Sequence, residues 1–199
     1  MGSSVVVHLI RHEKTLANYE KRYIGWTDQS IVSKELHLQL PFQVSEVYGS
    51  DLRRCEETAN QYFPQAKFIP YKSLRELNFG DFEMKTYEEL KNNPIYRQWI
   101  DHPEKVTPPN GESFEAFLNR VRSCFQQIIN KNGEYCFIVH GGVIRALLSI
   151  YGNKEKTFQE IYVGHQEIYT LRWNEYSALR RGNRCESLSV VPITEKENM

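Results

Sequence analysis

Four short β-rich runs restrict the fold more than any other feature: VVVHLI (5–10), VYGS (47–50), KFIP (67–70) and YCFIV (135–139). The stretches between them carry helical patterning. Parallel strands need long crossovers, so this alternation predicts a three-layer α/β/α fold with a mostly parallel sheet. The clearest helix is SFEAFLNRVRSCFQQIINK (113–131), where Phe114, Phe117, Leu118, Val121, Phe125, Ile128 and Ile129 follow the three–four spacing of one buried face. Gly133 is expected to stop it. A second helix is predicted through VIRALLSIY (143–151), ended by Gly152. Two late runs, IYTLRW (168–173) and LSVVP (188–192), lack a long helix between them and predict an antiparallel edge. Residues 81–112, with Pro94, Pro103, Pro108 and Pro109, read as a helical lid insertion, and 193–199 as a frayed tail. No repeat or linker divides the chain, so one domain over 1–199 is expected.

Charge is balanced, 25 basic residues against 25 acidic, which gives no global attraction to nucleic acid or to an anionic membrane. Any preference for an anion must be local. Cys55, Cys124, Cys136 and Cys185 show no metal or redox spacing, and thiols within apolar patterns suit a reducing compartment. With no secretory signal pattern and no run of about 20 apolar residues, a cytoplasmic protein is the expectation. Nothing in the sequence reports on oligomeric state.

In open parallel sheets, ligands bind beyond the carboxyl ends of the strands. Arg11 and His12 follow the first strand; Asp51, Arg53 and Arg54 follow the second; His140, Gly141 and Gly142 follow the fourth, directly before a helix. Any one of these alone is weak, because a lone histidine after a strand is more often a satisfied structural residue. Together they deliver two histidines and up to three arginines to one edge. A helix start adds free N–H groups to that edge. Arginine forks match phosphate oxygens, and a neutral imidazole can attack phosphorus in line. Glu76, in LRELNFGDFE (74–83), is the candidate proton donor to a leaving alkoxide. His8 reads as a satisfied sheet residue, and His37, His102 and His165 as exposed. No His, Asp or Glu grouping has metal spacing, and a phosphohistidine route requires neither metal nor cofactor.

RHEKTLAN (11–18) resembles the R-H-G-[EQ]-T-x-x-N signature of the histidine phosphatase superfamily, which includes cofactor-dependent phosphoglycerate mutases. SDLRRCEETA, LRELNFGDFE, PNGES and HGGVIR are similar to its further motifs, in the family's order, over about residues 5 to 152. The resemblance implies a phosphate pocket of Arg11, His12, Asn18, Arg54, Glu76 and His140. In it His12 is the phosphorylated nucleophile, Glu76 the acid, and Gly141 a backbone donor. Arg53 falls on a variable position and is expected to be exposed.

Glu13 stands where the family has glycine, and Lys14 where it has Glu or Gln. A residue needing backbone freedom there would make Glu13 disruptive, leaving an inactive phosphate-ester-binding regulator as one alternative. The other alternative is a phosphoglycerate mutase. Residues 81–112 carry four basic residues against seven acidic ones, together with Phe82, Tyr87, Tyr96 and Trp99. Such a lid suits an apolar or aromatic leaving group better than phosphoglycerate. Tyr23 and Trp26, in KRYIGWTD, are expected to border it. The insertion looks closest to those of α-ribazole phosphatases and broad-specificity phosphatases, which implies hydrolysis of a small-molecule phosphomonoester.

Overall fold

The computed structural model describes residues 4–32 and 38–195. Its strands are β1 (Val5–Arg11), β2 (Leu38–Gln39), β3 (Glu46–Gly49), β4 (Lys67–Pro70), β5 (Gly133–Val139), β6 (Glu167–Trp173), β7 (Ser187–Pro192) and β8 (Thr194–Glu195). Its helices are α1 (Leu16–Tyr19), α2 (Arg53–Tyr62), α3 (Tyr87–Leu90), α4 (Pro94–Asp101), α5 (Phe114–Ile128), α6 (Gly141–Tyr151) and α7 (Tyr176–Arg180). Among the described residues the main sheet runs β4-β3-β5-β1-β6-β7. β3, β4, β5 and β1 are parallel; β6 runs antiparallel to β1, and β7 to β6. The mostly parallel sheet and its antiparallel edge are therefore present, the edge being two strands wide.

Side-chain alternation splits the core between the two faces. Val5, Val7 and Leu9 of β1, Phe137 and Val139 of β5, and Leu171 and Trp173 of β6 share one cluster with α5, α6, α7 and the lid. Ile10, Val47, Cys136, Ile138 and Ile168 point the other way, into a cluster with Cys55, Ala59 and Tyr62 of α2. β1 is buried on both faces, which is why its sequence is a continuous apolar run rather than an alternating one.

Two boundaries differ from expectation. α5 ends at Ile128, and Ile129, fully buried, turns in an extended conformation into the core. Gly133 therefore opens β5 instead of stopping the helix. The chain from 193 is also not frayed where it is described. Ile193 is buried, its N–H donates to the Gln166 carbonyl at 2.8 Å, and β8 pairs with β2. An apolar residue and a two-residue ladder outweigh the polar composition of that stretch. Residues 196–199 lie outside the described residues. No helix among the described residues is long and apolar enough to cross a membrane.

The lid is helical, and it is packed. Asn93 caps α4 by accepting from the Ile95 and Tyr96 N–H groups at 2.9 and 3.1 Å, with Pro94 in the first turn. Phe82, Leu90, Tyr96 and Trp99 are buried in the cluster that also holds α5 and α6. Tyr23 joins them through its hydroxyl, 2.7 Å from that of Tyr96.

Candidate active site

β1 and β5 end side by side, with Arg11 opposite Val139. The His12 N–H continues the ladder to the Val139 carbonyl at 2.9 Å, so the residues just beyond both strands meet. The His12 and His140 rings lie 5.1 Å apart, edge to face, and both are almost wholly buried. His12 Nδ1 lies 2.7 Å from the Glu13 carbonyl oxygen. A carbonyl only accepts, so Nδ1 carries the proton and Nε2 keeps its lone pair. Burial first, then the Arg54 and Arg11 guanidiniums, hold the His12 pKa well below the ordinary histidine range. His12 is thus a neutral imidazole in a defined tautomer.

Arg54, on the first turn of α2, is fully buried. Its Nη2 and Nη1 donate to the carbonyls of Gly25 and Thr27 at 2.7 and 2.9 Å, and its Nε reaches His140 Nδ1 at 3.3 Å. The neutral His140 ring then carries its proton on Nε2, 3.7 Å from Cys55 Sγ. Burial and Arg54 lower the His140 pKa well below the ordinary range, while burial pushes the Cys55 thiol up to about 12. Arg11 donates through Nη1 to the Val163 carbonyl at 3.0 Å, and its buried Nε has no hydrogen-bond partner. Buried guanidinium groups with unmet donors form a site for an anion. Arg53, by contrast, is exposed and paired with Asp28 at 3.1 Å.

Glu76 sits between two 3-10 turns, Lys72–Leu74 and Gly80–Phe82. Its Oε2 accepts from the Gly142 N–H at 2.7 Å and its Oε1 from the Leu77 N–H at 2.9 Å, placing the carboxyl on the N-terminus of α6. A Cβ at residue 142 would lie 2.1 Å from Oε1, so only glycine lets this carboxyl approach. The Glu76 carbonyl accepts from Trp26 Nε1 at 3.0 Å and Arg120 Nη2 at 2.8 Å. Arg120 also holds the carbonyls of Ser73 and Arg75, and is itself paired with Glu112 at 2.6 Å. This brace from α5 was not visible in the sequence, because its acceptors are backbone groups that any residue type supplies.

Not every predicted residue reaches the cleft. A cleft of about 480 Å³ is lined by Arg11, Tyr23, Glu76, Phe79, Trp99, Phe114, Gly141, Gly142, Arg145 and Phe158, among others. His12, Arg54, His140 and Trp26 are not among its lining residues; the Trp26 indole backs Glu76, with the Arg75 guanidinium 5.2 Å from its ring centroid. Asn18 uses Oδ1 to accept from the Thr15 N–H at 3.1 Å, as the capping partner of α1. Gly141 lies against Arg11, whose Cζ would be 3.3 Å from a Cβ there. Arg145, unremarked in the sequence, shares the cleft face of α6 with Gly141 and Gly142, as its spacing of four and three residues allows. Among the described residues, no three His, Cys, Asp or Glu side chains come together so as to hold a metal ion.

The remaining histidines divide. His8 is satisfied by Thr170 Oγ1 at 2.9 Å and Glu134 Oε1 at 2.8 Å, and stacks on Phe42. His102 is exposed. His37 lies outside the described residues. His165 is not exposed as expected: it is partly buried, with its ring 6.1 Å from that of His12. The strand-end rule covers only residues after strands. Because β6 runs antiparallel to β1, the residues before β6 lie at the same edge.

Glu13 turns away from the cleft. Its N–H donates to Thr58 Oγ1 at 2.9 Å, and its buried carboxyl accepts from the Tyr62 hydroxyl. Lys14 is exposed, its Nζ 5.3 Å from the centre of the Tyr19 ring. The departure from glycine is thus absorbed by α2, and the Glu13 carboxylate is held there by Tyr62. Tyr62→Phe removes that donor and is expected to cost about 1–3 kcal/mol in urea unfolding, with turnover within about tenfold of wild type. A larger loss of turnover at unchanged stability would mean that Glu13 acts on the cleft.

A profile of the histidine phosphatase superfamily (branch 1) matches residues 7–183. An adenosylcobalamin/alpha-ribazole phosphatase from Salmonella typhimurium is 29% identical over 157 residues, covering 71% of this chain and 76% of that protein. Phosphoglycerate mutase-like protein 4 from Arabidopsis thaliana is 31% identical over 155 residues, covering 70% of this chain and 67% of that protein. The crystal structure of a putative alpha-ribazole-5'-P phosphatase from Escherichia coli superposes with a TM-score of 0.78 at 21% identity, covering 96% of each chain, and shares the fold. With the match spanning His12, His140, Arg11, Arg54 and Glu76, the chain belongs to the histidine phosphatase superfamily.

Proposed function

We propose that the protein hydrolyses phosphomonoesters through a phosphohistidine on His12. The observation that carries this reading is the 2.7 Å bond from His12 Nδ1 to the Glu13 carbonyl, which leaves Nε2 as a free lone pair in the field of the Arg54 and Arg11 guanidiniums. Nε2 attacks phosphorus while the ester P–O bond breaks, and the leaving oxygen takes a proton from Glu76. Water then attacks phosphorus with Glu76 as base, the N–P bond breaks, and inorganic phosphate departs. Arg54 and Arg11 stabilise the equatorial oxygens. His140 donates to one of those oxygens through Nε2–H after releasing Cys55.

The lining of the cleft supports hydrolysis over mutase transfer. Tyr23, Phe79, Trp99, Phe114 and Phe158 line it, and among the described residues no lysine does. Such walls fit an aromatic or otherwise bulky leaving group, in keeping with the alpha-ribazole phosphatase relatives. A compact polyanion would find Arg145 as the cation beyond Arg11, and its Nε is already bonded to the Phe158 carbonyl at 2.9 Å.

A leaving-group series on Glu76→Gln tests the assignment. Alkoxides leave poorly unless protonated, whereas nitrophenolate needs no acid. The variant is expected to lose about 10²–10⁴-fold on alkyl phosphates and under about tenfold on p-nitrophenyl phosphate. Equal losses on both would reassign Glu76 to positioning. Interconversion of 3- and 2-phosphoglycerate, stimulated by 2,3-bisphosphoglycerate, at rates above hydrolysis would replace the hydrolase by the mutase.

A further inference from the structure

We infer that His165 is a third imidazole of the phosphoryl site, its Nε2 meeting a non-bridging oxygen of the group held at His12 and carrying a proton taken up together with that group. The inference rests on the phosphate-binding role proposed for this edge. It adds a residue that none of the sequence motifs includes.

The backbone aims His165 there. Ile168 of β6 lies opposite Ile10 of β1, so the segment entering β6 reaches the edge where Arg11 and His12 leave β1. That segment is tied on both sides of the histidine. Val163 O accepts from Arg11 Nη1 at 3.0 Å, and the Gly164 N–H donates to Glu167 Oε2 and to the Tyr169 hydroxyl, each at 3.1 Å. On the other side, the Gln166 carbonyl accepts from the Ile193 N–H at 2.8 Å, and Gln166 itself takes a left-handed φ of 56°. That conformation is costly for a non-glycine residue and marks a tight turn directly after His165.

The His165 ring lies 6.1 Å from the His12 ring at 77°, and its Nε2 is buried with no hydrogen-bond partner. Buried polar atoms in folded proteins are ordinarily paired, so an orphan beside a nucleophile calls for a ligand atom. The groups facing it are Arg11 and His12 from β1 and its end, and Lys14 from the loop beyond. On its own segment the Glu167 carboxylate is already taken by Gly164 and Tyr169. Burial, then Arg11 and Lys14, bring the His165 pKa down to about 3, so by itself the ring is neutral.

A phosphoryl dianion at His12 reverses both effects, supplying an acceptor and an opposite charge. One proton comes from solvent onto the ring as the anion binds and returns when phosphate leaves. His165 forms no bond to phosphorus.

Sulfate is a suitable probe, since it stays a dianion across the range and competes without titrating. Its Ki against p-nitrophenyl phosphate is to be measured from pH 5.5 to 7.5 in wild type, His165→Asn and His165→Gln. The amides can donate a hydrogen bond but cannot titrate. We expect log Ki in wild type to rise with pH more steeply than in either amide variant, by about one proton per anion. At pH 7.5 the variants should hold sulfate within about tenfold of wild type. Equal slopes would overturn the inference while leaving the anion site intact; no competition by sulfate in wild type would overturn the proposed site and this inference with it. A measurement free of variants uses ¹⁵N shifts of the histidine rings in wild type. On adding sulfate near pH 6, the His165 nitrogens should move from the neutral to the imidazolium pattern, and unchanged shifts would refute the proton uptake.

Discussion

His12→Ala is expected to lower turnover of p-nitrophenyl phosphate by about 10⁴-fold or more, with little change in thermal stability. The effect is large because, among the described residues that directly follow a strand, His12 alone has a ring nitrogen left unprotonated and unbonded. His140 has one ring nitrogen on Arg54 and the other against Cys55. The stability change stays small because what the mutation removes, a bond to the neighbouring Glu13 carbonyl, is local, and the buried ring was held neutral against two cations. A rate assay beside a melting curve separates the two. If the alanine variant keeps a tenth of the wild-type rate, His12 is not the nucleophile.

Arg54→Met should be nearly as damaging, at about 10²–10³-fold or more in kcat, because a buried guanidinium loses no energy reorganising when charge develops on the phosphoryl oxygens. Arg54 does three things at once: it charges the site, orients His140, and pins the loop at Gly25 and Thr27. That loop has a second anchor. The Glu83 carboxylate accepts from the N–H groups of Gly25, Trp26 and Thr27 at 2.9–3.3 Å, so the fold survives the substitution. Gly25 is needed there, since a Cβ would lie 2.1 Å from the Leu77 carbonyl oxygen. Arg54→Lys should recover only a small part of the activity, because an ammonium is a point charge and cannot span His140 and two carbonyls. Full activity in the lysine variant would reduce Arg54 to a charge without geometry.

The fold was legible because β1, β3, β4 and β5 are short apolar runs separated by one-sided helices, and chain order then fixes parallel pairing. The core of the site was legible for a related reason. In a parallel sheet, the residues directly after each strand lie at the binding edge, and this brought Arg11, His12, Arg54 and His140 to one place from sequence order alone.

The features that stayed hidden depend on tertiary contacts. His165 lies before an antiparallel strand, where the rule must be inverted. Arg120 acts on backbone carbonyls, which have no sequence signature. Trp26 carries an indole N–H that seeks an acceptor when buried, and the Glu76 carbonyl satisfies it, so the ring braces Glu76 instead of lining the cleft. Asn18 sits three residues after Thr15, a spacing that reads equally as a capping box, and its Oδ1 is used for that. Glu13 could not be placed from the sequence because its partner, Tyr62, is on the far turns of α2.

The most direct test is to trap the covalent intermediate. Enzyme mixed with ³²P-labelled p-nitrophenyl phosphate is quenched in alkali within the first turnover, digested, and the labelled peptide is sequenced. A phosphohistidine mechanism requires a base-stable, acid-labile label on the peptide containing His12, approaching one per chain when the second step is slower, and absent from His12→Ala. A wild-type enzyme that turns over the ester with no label at His12 at any quench time, or that carries the label on another residue, would contradict it.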